Sequence, residues 1–105
     1  MGDVVVLCDD TFRKMSSTFH SLFVMFEGSW CPVCKQAEVM LRDLVECVDM
    51  PVCSLNVDRC PHTASHYNIL GTPTFILFRE GAEVYRSTGS MSKDQILYNI
   101  KGVVS

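Results

Sequence analysis

The tightest constraint on the fold of this chain is the run Leu22–Phe26, in which every residue is apolar. An uninterrupted apolar run of this length is typical of a strand buried on both faces of a parallel sheet. A sheet with two apolar faces is stable only when helices cover both of them. The run therefore predicts an α/β fold in which Leu22–Phe26 is a central strand.

The patterns on either side of that strand predict the element order β-α-β-α-β-α-β-β-α. The other strands are expected, in chain order, at Val4–Leu7, Val52–Val57, Thr74–Phe78 and Val84–Thr88. Helices are expected after Asp9 or Asp10, after Trp30, around His62–Tyr67, and after a capping box formed by Ser92 and Gln95. The short link at Glu80-Gly81 predicts a hairpin between the last two strands. We therefore expect a central mixed sheet of about five strands flanked by about four helices.

The helix after Trp30 has one apolar stripe, formed by Cys34, Ala37, Leu41, Val45 and Val48. Such a stripe is the face that a helix packs against a sheet. The charged residues between these positions are expected to face solvent; they are Glu38, Arg42, Asp43 and Glu46.

Length and charge exclude several classes of protein. The chain has 105 residues, 48% of them hydrophobic, and a formal net charge of −3. This length predicts a single domain over residues 1–105, which we expect to be monomeric. There is no basic patch to neutralise phosphates, so we expect no nucleic acid partner. No apolar run approaches the roughly 20 residues that span a bilayer, so we expect no membrane partner.

The N-terminal residues Met1-Gly2-Asp3 lack the basic start and the cleavage site of a signal peptide. We therefore expect a cytoplasmic location. The alternative is a lumenal domain whose signal has been removed.

Cys31 and Cys34 lie where the central strand gives way to a helix. The unpaired N–H groups and positive dipole end of a helix N-terminus favour a thiolate, which is the nucleophile in disulfide exchange. Pro32 fits the first helical turn, where a missing N–H costs little. Cys34 belongs to the apolar stripe and should be the less exposed sulfur. This pattern predicts that Cys31 attacks a disulfide and that Cys34 resolves the mixed disulfide. The alternative is half of a zinc site, which would need a second pair of ligands that the sequence does not supply.

The remaining four of the six cysteines have no comparable setting. Cys8, Cys47 and Cys53 are interpreted as small core residues. Cys60 is interpreted as a partly buried, inert thiol. It lies close to His62 and His66, but these three residues lack an obvious fourth ligand, so we expect no metal site and two surface histidines.

The segment Gly71-Thr72-Pro73 opens a predicted strand some forty residues after the cysteine pair. Proline is accepted at the first position of a strand. It is also the residue at which cis peptide bonds occur. Both interpretations of Pro73 stay open on propensity alone.

The chain resembles the thioredoxin family over nearly its whole length. The segments that carry this resemblance are Trp30–Lys35, Asn56-Val57-Asp58, Gly71–Thr74, Gly81 and Gly89. The first strand and Asp9–Phe12 also look like the start of a protein disulfide isomerase domain. The resemblance implies the thioredoxin fold, a cis Pro73 facing Cys31, and substrate contacts at Trp30, Pro32, Val33, Thr72 and Pro73. The Thr72 backbone would pair with the extended chain of a substrate.

Cys60 occupies a place where animal thioredoxins carry an extra cysteine, which makes an accessory redox switch the alternative for that thiol.

Several positions depart from the family pattern. The family usually keeps a buried acid where this chain has Met25, and thioredoxins often pair it with a lysine where this chain has Ser54. The central dipeptide Pro32-Val33 also differs from the usual Gly-Pro or Gly-His. Glu27 lies on the strand face of Met25, one alternation nearer the cysteines. We interpret it as a candidate proton acceptor for Cys34, with a solvated carboxylate as the alternative.

The sequence therefore predicts a thiol-disulfide oxidoreductase that acts on protein disulfides through Cys31 and Cys34. It would need no bound cofactor and no metal, and a reductase or another thiol system would supply its electrons. One alternative is a lumenal domain of the protein disulfide isomerase type. The other is a binding or chaperone module that keeps the fold and has weak redox activity.

Overall fold

The computed structural model describes residues 2–104 and confirms the predicted order of strands and helices. The strands are β1 Val5–Leu7, β2 Ser21–Glu27, β3 Val52–Asn56, β4 Thr74–Arg79 and β5 Ala82–Thr88. The helices are α1 Asp9–Thr18, α2 Pro32–Val45, α3 Pro61–His66 and α4 Lys93–Val104.

The five strands form one mixed sheet in the order β1-β3-β2-β4-β5. Strands β1, β3 and β2 run parallel, whereas β4 is antiparallel to both β2 and β5. The central position of β2 is confirmed, since Phe23–Phe26 have no exposed surface. The first half of the chain thus builds parallel crossovers, and the second half adds the predicted hairpin.

Each face of the sheet carries its own hydrophobic core. On one face, α1 and α3 cover a cluster that includes Phe12, Val24 and Phe26. On the other face, α2 and α4 cover a cluster that includes Met25 and Leu41. The alternation of β2 side chains between the two clusters places Met25 under α2. Glu27, two residues later, points to the same side.

The apolar stripe of α2 is confirmed at Cys34, Ala37 and Leu41, and it also includes the fully buried Leu44. Val45 is partly buried against the same core. The prediction that Glu38 faces solvent is wrong, because this residue is half-buried. It lies four residues after Cys34, and residues at that spacing share one face of a helix.

Two of the cysteine predictions are also wrong. Cys8 and Cys47 are exposed, whereas Cys53 is buried as expected. Cys8 is the residue before the first turn of α1, and Cys47 follows the end of α2, so each lies at a helix boundary where the chain turns at the surface. Cys60 is more buried than expected, with 2% of its surface exposed and its Sγ 3.5 Å from the Leu7 carbonyl oxygen.

The N-terminal cap of α4 is the one that the sequence predicts, whereas the cap of α1 differs from the prediction. Ser92 and Gln95 form the predicted capping box, with backbone-to-side-chain hydrogen bonds of 2.9 and 3.1 Å. At α1 the cap is Cys8 rather than an aspartate. The Asp9 carboxylate instead accepts hydrogen bonds from the Thr63 N–H at 2.9 Å and the Thr63 hydroxyl at 2.6 Å. These bonds tie α1 to α3. Among the described residues, no helix is long and apolar enough to cross a membrane.

The packing of α2 on the sheet predicts that truncating two residues of that helix changes the free energy of unfolding by different amounts. Leu41 is fully buried, whereas Val39 is 53% exposed. We expect Leu41→Ala to lower the free energy of unfolding by about 2–5 kcal/mol, because it removes buried methyl groups and leaves a cavity. Val39→Ala, the matched control, should change it by less than about 0.5 kcal/mol. Urea denaturation of both variants measures the difference, and equal losses would contradict this account of the core.

Candidate active site

Cys31 and Cys34 lie at the junction between β2 and α2, as the sequence predicts. The two residues are joined by a disulfide, with their Cα atoms 5.2 Å apart. Cys31 is the N-cap of α2 and has an extended backbone, and Pro32 is the first helical residue. The helix begins here because Pro32 has a backbone angle suited to the first turn and lacks only an N–H that would be unpaired there.

The start of α2 directs a hydrogen-bond donor at the first sulfur. The backbone N–H of Cys34 donates to the Sγ of Cys31 over 3.2 Å. Cys31 is partly exposed, whereas Cys34 has 1% of its surface exposed. The two sulfurs therefore differ as the sequence predicts, since one is accessible beside a helix N-terminus and the other lies in the core under the helix.

The loop before Cys31 is fixed by the residues that follow β3. The Ser29 N–H donates to the Asp58 carboxylate at 3.0 Å, and the Asn56 amide donates to the Ser29 hydroxyl oxygen at 3.3 Å. The hydrogen bond from the Ser29 backbone lowers the pKa of Asp58, so that side chain stays ionised near neutral pH. The Val57 N–H also donates to the Glu27 carbonyl oxygen at 2.8 Å. These contacts hold the end of β2, and with it the position of Cys31.

The segment before β4 also lies against this loop. The Thr72–Pro73 peptide bond is cis, as the resemblance implied, and Pro73 is buried. A Cβ atom at Gly28 would lie 3.2 Å from the Thr72 Oγ1 and 3.9 Å from the Cys31 Cβ. Glycine at position 28 thus allows the Thr72 side chain to approach the loop before Cys31. Within the described residues, the Thr72 backbone makes no backbone hydrogen bond.

Exposed apolar residues lie next to the two cysteines in the chain. Trp30 is 97% exposed and Val33 is 40% exposed, and Pro32 is exposed between the two cysteines. Sequence reasoning missed Leu70, which is 88% exposed and precedes Gly71. Its signal in the sequence was a large apolar residue in a helix-to-strand loop, a position where polar residues are the usual choice.

Met25 and Ser54, which stand where the family keeps a charged pair, are buried beside one another. Met25 has no exposed surface, and it pairs in register with Ser54, which is 5% exposed. Neither residue carries a charge. A buried ion pair is often no more stable than apolar packing, so this substitution of both partners costs little stability.

Glu27, the last residue of β2, is a titratable residue two positions after Met25. It lines a cavity of about 390 Å³ together with Glu38, Arg42 and Ser54. Burial is the main cause that raises the pKa of Glu27 to about 7; the Glu38 carboxyl acts in the same direction, whereas a hydrogen bond from the Ser54 hydroxyl opposes the shift. Glu27 is therefore only partly in contact with solvent, and its role as a proton acceptor stays a prediction. Sequence reasoning missed Glu38 because a charged residue between the apolar positions of a helix ordinarily faces water.

Cys60, His62 and His66, the second candidate cluster in the sequence, do not form a common site within the described residues. Cys60 is buried under β1, and burial raises the pKa of its thiol, whereas His62 and His66 are exposed. Across residues 2–104, no group of three or more histidine, cysteine, aspartate or glutamate side chains is placed to hold a metal ion.

Comparisons with known proteins agree with this site. A family model described as thioredoxin matches residues 3–102. The chain is 33% identical over 90 residues to a thioredoxin from Mycobacterium bovis, a match that covers 84% of this chain and 78% of the relative. It is 31% identical over 94 residues to a thioredoxin from Alicyclobacillus acidocaldarius, a match that covers 88% of this chain and 90% of the relative. The solved structure of a mutant thioredoxin from Halobacterium salinarum superposes with a TM-score of 0.90 at 25% identity, covering 98% of this chain and 92% of that one.

The superposition confirms the predicted thioredoxin fold, and the matched segment spans the strand, the loop and the helix that hold the two cysteines. With a disulfide at the start of α2 and relatives that match most of the sequence, the chain belongs to the thioredoxin family of thiol-disulfide oxidoreductases.

Proposed function

We propose that the protein reduces or exchanges disulfides of other proteins, with Cys31 as the nucleophile and Cys34 as the resolving thiol. The observation that carries this assignment is the hydrogen bond from the Cys34 N–H to the Cys31 Sγ, at a sulfur that is partly exposed. A donor aimed at that sulfur favours its thiolate form. Cys34 is enclosed by the core and can reach only the sulfur beside it.

The reaction then proceeds in two exchanges. The Cys31 thiolate attacks one sulfur of the substrate disulfide, a mixed disulfide forms, and the other substrate sulfur leaves as a thiolate. Cys34 loses its proton and attacks the Cys31 sulfur, and the remaining substrate sulfur leaves. The substrate gains two electrons, and the protein is left with the Cys31–Cys34 disulfide. No bound cofactor takes part.

The substrate would dock on the surface around the disulfide. Trp30, Pro32 and Val33 offer apolar contact area beside Cys31. The unpaired backbone of Thr72 supports strand-like pairing with an extended substrate segment, next to the buried Pro73. An extended chain bound there would pass close to Cys31.

Resolution of the mixed disulfide requires a proton acceptor for Cys34. A buried thiol in apolar surroundings has a raised pKa, so its thiolate is scarce near neutral pH. We assign this role to Glu27, because Met25 cannot take a proton and Glu27 points to the same side of β2. Its pKa of about 7 suits a base that works near neutral pH.

The proposed activity also implies a source of electrons, and we propose with it an oligomeric state and a location. A reductase or another thiol system would return two electrons to the Cys31–Cys34 disulfide. Residues 1–105 would act as a single, monomeric domain in the cytoplasm, without a nucleic acid or membrane partner.

The roles of the two cysteines predict opposite behaviour of their serine variants. Cys31→Ser should abolish reduction of insulin disulfides, because no accessible thiolate remains. Cys34→Ser should form a mixed disulfide with a protein substrate and fail to resolve it. Non-reducing gel electrophoresis and an insulin turbidity assay measure both outcomes. Trapping by Cys31→Ser instead would reverse the roles, and normal insulin reduction by both variants would refute the function.

The role of Glu27 predicts a pH-dependent defect. Glu27→Gln should slow resolution of the mixed disulfide at pH 7 by ~10²–10⁴-fold, which is the typical contribution of a general base. The deficit should shrink towards pH 9, where Cys34 ionises unaided. Stopped-flow measurement of single-turnover rates from pH 5.5 to 9 tests this, with the exposed Glu46→Gln as control. A uniform deficit at every pH would point to a structural effect instead of proton transfer.

A further inference from the structure

We propose that Cys8 and Cys60 form a second redox pair, which closes to a disulfide when a hydroperoxide oxidises the Cys8 thiolate. The observation that carries this inference is the placement of two free cysteines at neighbouring helix starts, one exposed and the other buried. The pair uses neither Cys31 nor Cys34, so it does not depend on the function proposed for them.

The starts of α1 and α3 lie side by side. Cys8 is the N-cap of α1, and Cys60 is the N-cap of α3. The carboxylate of Asp9, the first residue of α1, accepts hydrogen bonds from the N–H and the hydroxyl of Thr63 at 2.9 and 2.6 Å. Because both bonded residues lie within the first turn of their helices, these bonds also bring the two N-cap cysteines close to each other.

One contact limits the distance between the Cys60 sulfur and Cys8. The Cys60 Sγ lies 3.5 Å from the carbonyl oxygen of Leu7, the residue that precedes Cys8. Standard backbone geometry places the Cys8 Cα about 2.8 Å from that oxygen, so the Cys60 Sγ lies within roughly 6 Å of the Cys8 Cα. A disulfide holds its two Cα atoms about 4.4–6.8 Å apart. The Cys60 sulfur is therefore within reach of the Cys8 side chain, which is exposed and can rotate about its Cα–Cβ bond.

The two thiols differ in the way that a two-cysteine reaction requires. The Thr11 hydroxyl donates a hydrogen bond to the Cys8 Sγ over 3.3 Å. This bond is the main cause that lowers the pKa of Cys8, and the charge of Asp10 opposes the shift. Burial raises the pKa of Cys60, which has 2% of its surface exposed. A dissolved oxidant therefore meets the Cys8 thiolate first, with the protonated Cys60 thiol beside it.

The reaction takes two steps and needs a hydroperoxide as its only co-reactant. The Cys8 thiolate attacks a peroxide oxygen, the O–O bond breaks, and Cys8 becomes a sulfenic acid while hydroxide or an alkoxide leaves. The Cys60 thiol then attacks the Cys8 sulfur, the S–O bond breaks, and the departing oxygen takes up the Cys60 proton and leaves as water. The two thiols lose two electrons, the peroxide gains them, and the Cys8–Cys60 disulfide remains.

Tryptic peptides separate the cysteines that the test must distinguish. Cleavage after arginine and lysine places Cys8 on residues 1–13 and Cys60 on residues 60–79, whereas every other cysteine falls on other peptides. The protein with its Cys31–Cys34 disulfide formed is treated with a stoichiometric amount of hydrogen peroxide, alkylated in denaturant and digested without reduction. Mass spectrometry should then find residues 1–13 and 60–79 joined by a disulfide.

Two variants serve as controls for the pairing. Cys60→Ala should abolish the linked peptides and leave a Cys8 sulfenic acid, which dimedone traps. Cys47→Ala removes the other exposed free cysteine and should leave the yield of linked peptides unchanged.

Two results for the unaltered protein would overturn the pair. One is overoxidation of Cys8 to the sulfinic acid while Cys60 is recovered fully alkylated. The other is a disulfide that joins two copies of residues 1–13, because Cys8 would then react with a second molecule instead of Cys60. Since Cys31 and Cys34 stay joined throughout, neither result bears on the function proposed for them.

Discussion

The hydrogen bond between the Cys34 N–H and the Cys31 sulfur depends on the placement of one helix end. Helix α2 can present its first turn at that point because β2 runs through the centre of the sheet and ends directly before the loop. The loop is in turn anchored by Asn56 and Asp58 at the end of the neighbouring strand. Burial of β2 on both faces thus fixes where the helix begins, and the helix dipole then favours a thiolate at its cap.

The hydrophobic core between the sheet and α2 occupies the place of the charged pair that the family usually keeps. Met25 and Ser54 fill the place with little polar surface, which stabilises the sheet but removes a proton acceptor. Glu27 lies two residues further along the same strand face and lines a cavity. Its raised pKa means that the folded state binds this proton more tightly than the unfolded chain. The associated stability is fully present below the ordinary value of 4.5 and is lost as pH rises through about 7.

Sequence patterns predicted the element order, the central strand and the contrast between the two active-site cysteines. These features follow from local periodicity and from burial, which one sequence carries clearly. Cys8, Cys47 and Glu38 were wrongly predicted because their surroundings depend on where helices begin and end and on what faces them from another element. Glu38 is the instructive case: its position between the apolar residues of α2 predicts a side chain that faces solvent, and only the fold places it in the same cavity as Glu27. Leu70 was missed because the exposure of residues in loops follows no periodic sequence pattern.

The central claim is that the Glu27 carboxyl titrates near neutral pH, as the proposed proton acceptor for Cys34 must. The most direct measurement is the pH titration of the Glu27 side-chain carboxyl carbon by ¹³C NMR in the oxidised protein. The account predicts a midpoint near 7 for that carbon. A midpoint for Glu27 near the ordinary value of 4.5 would contradict it.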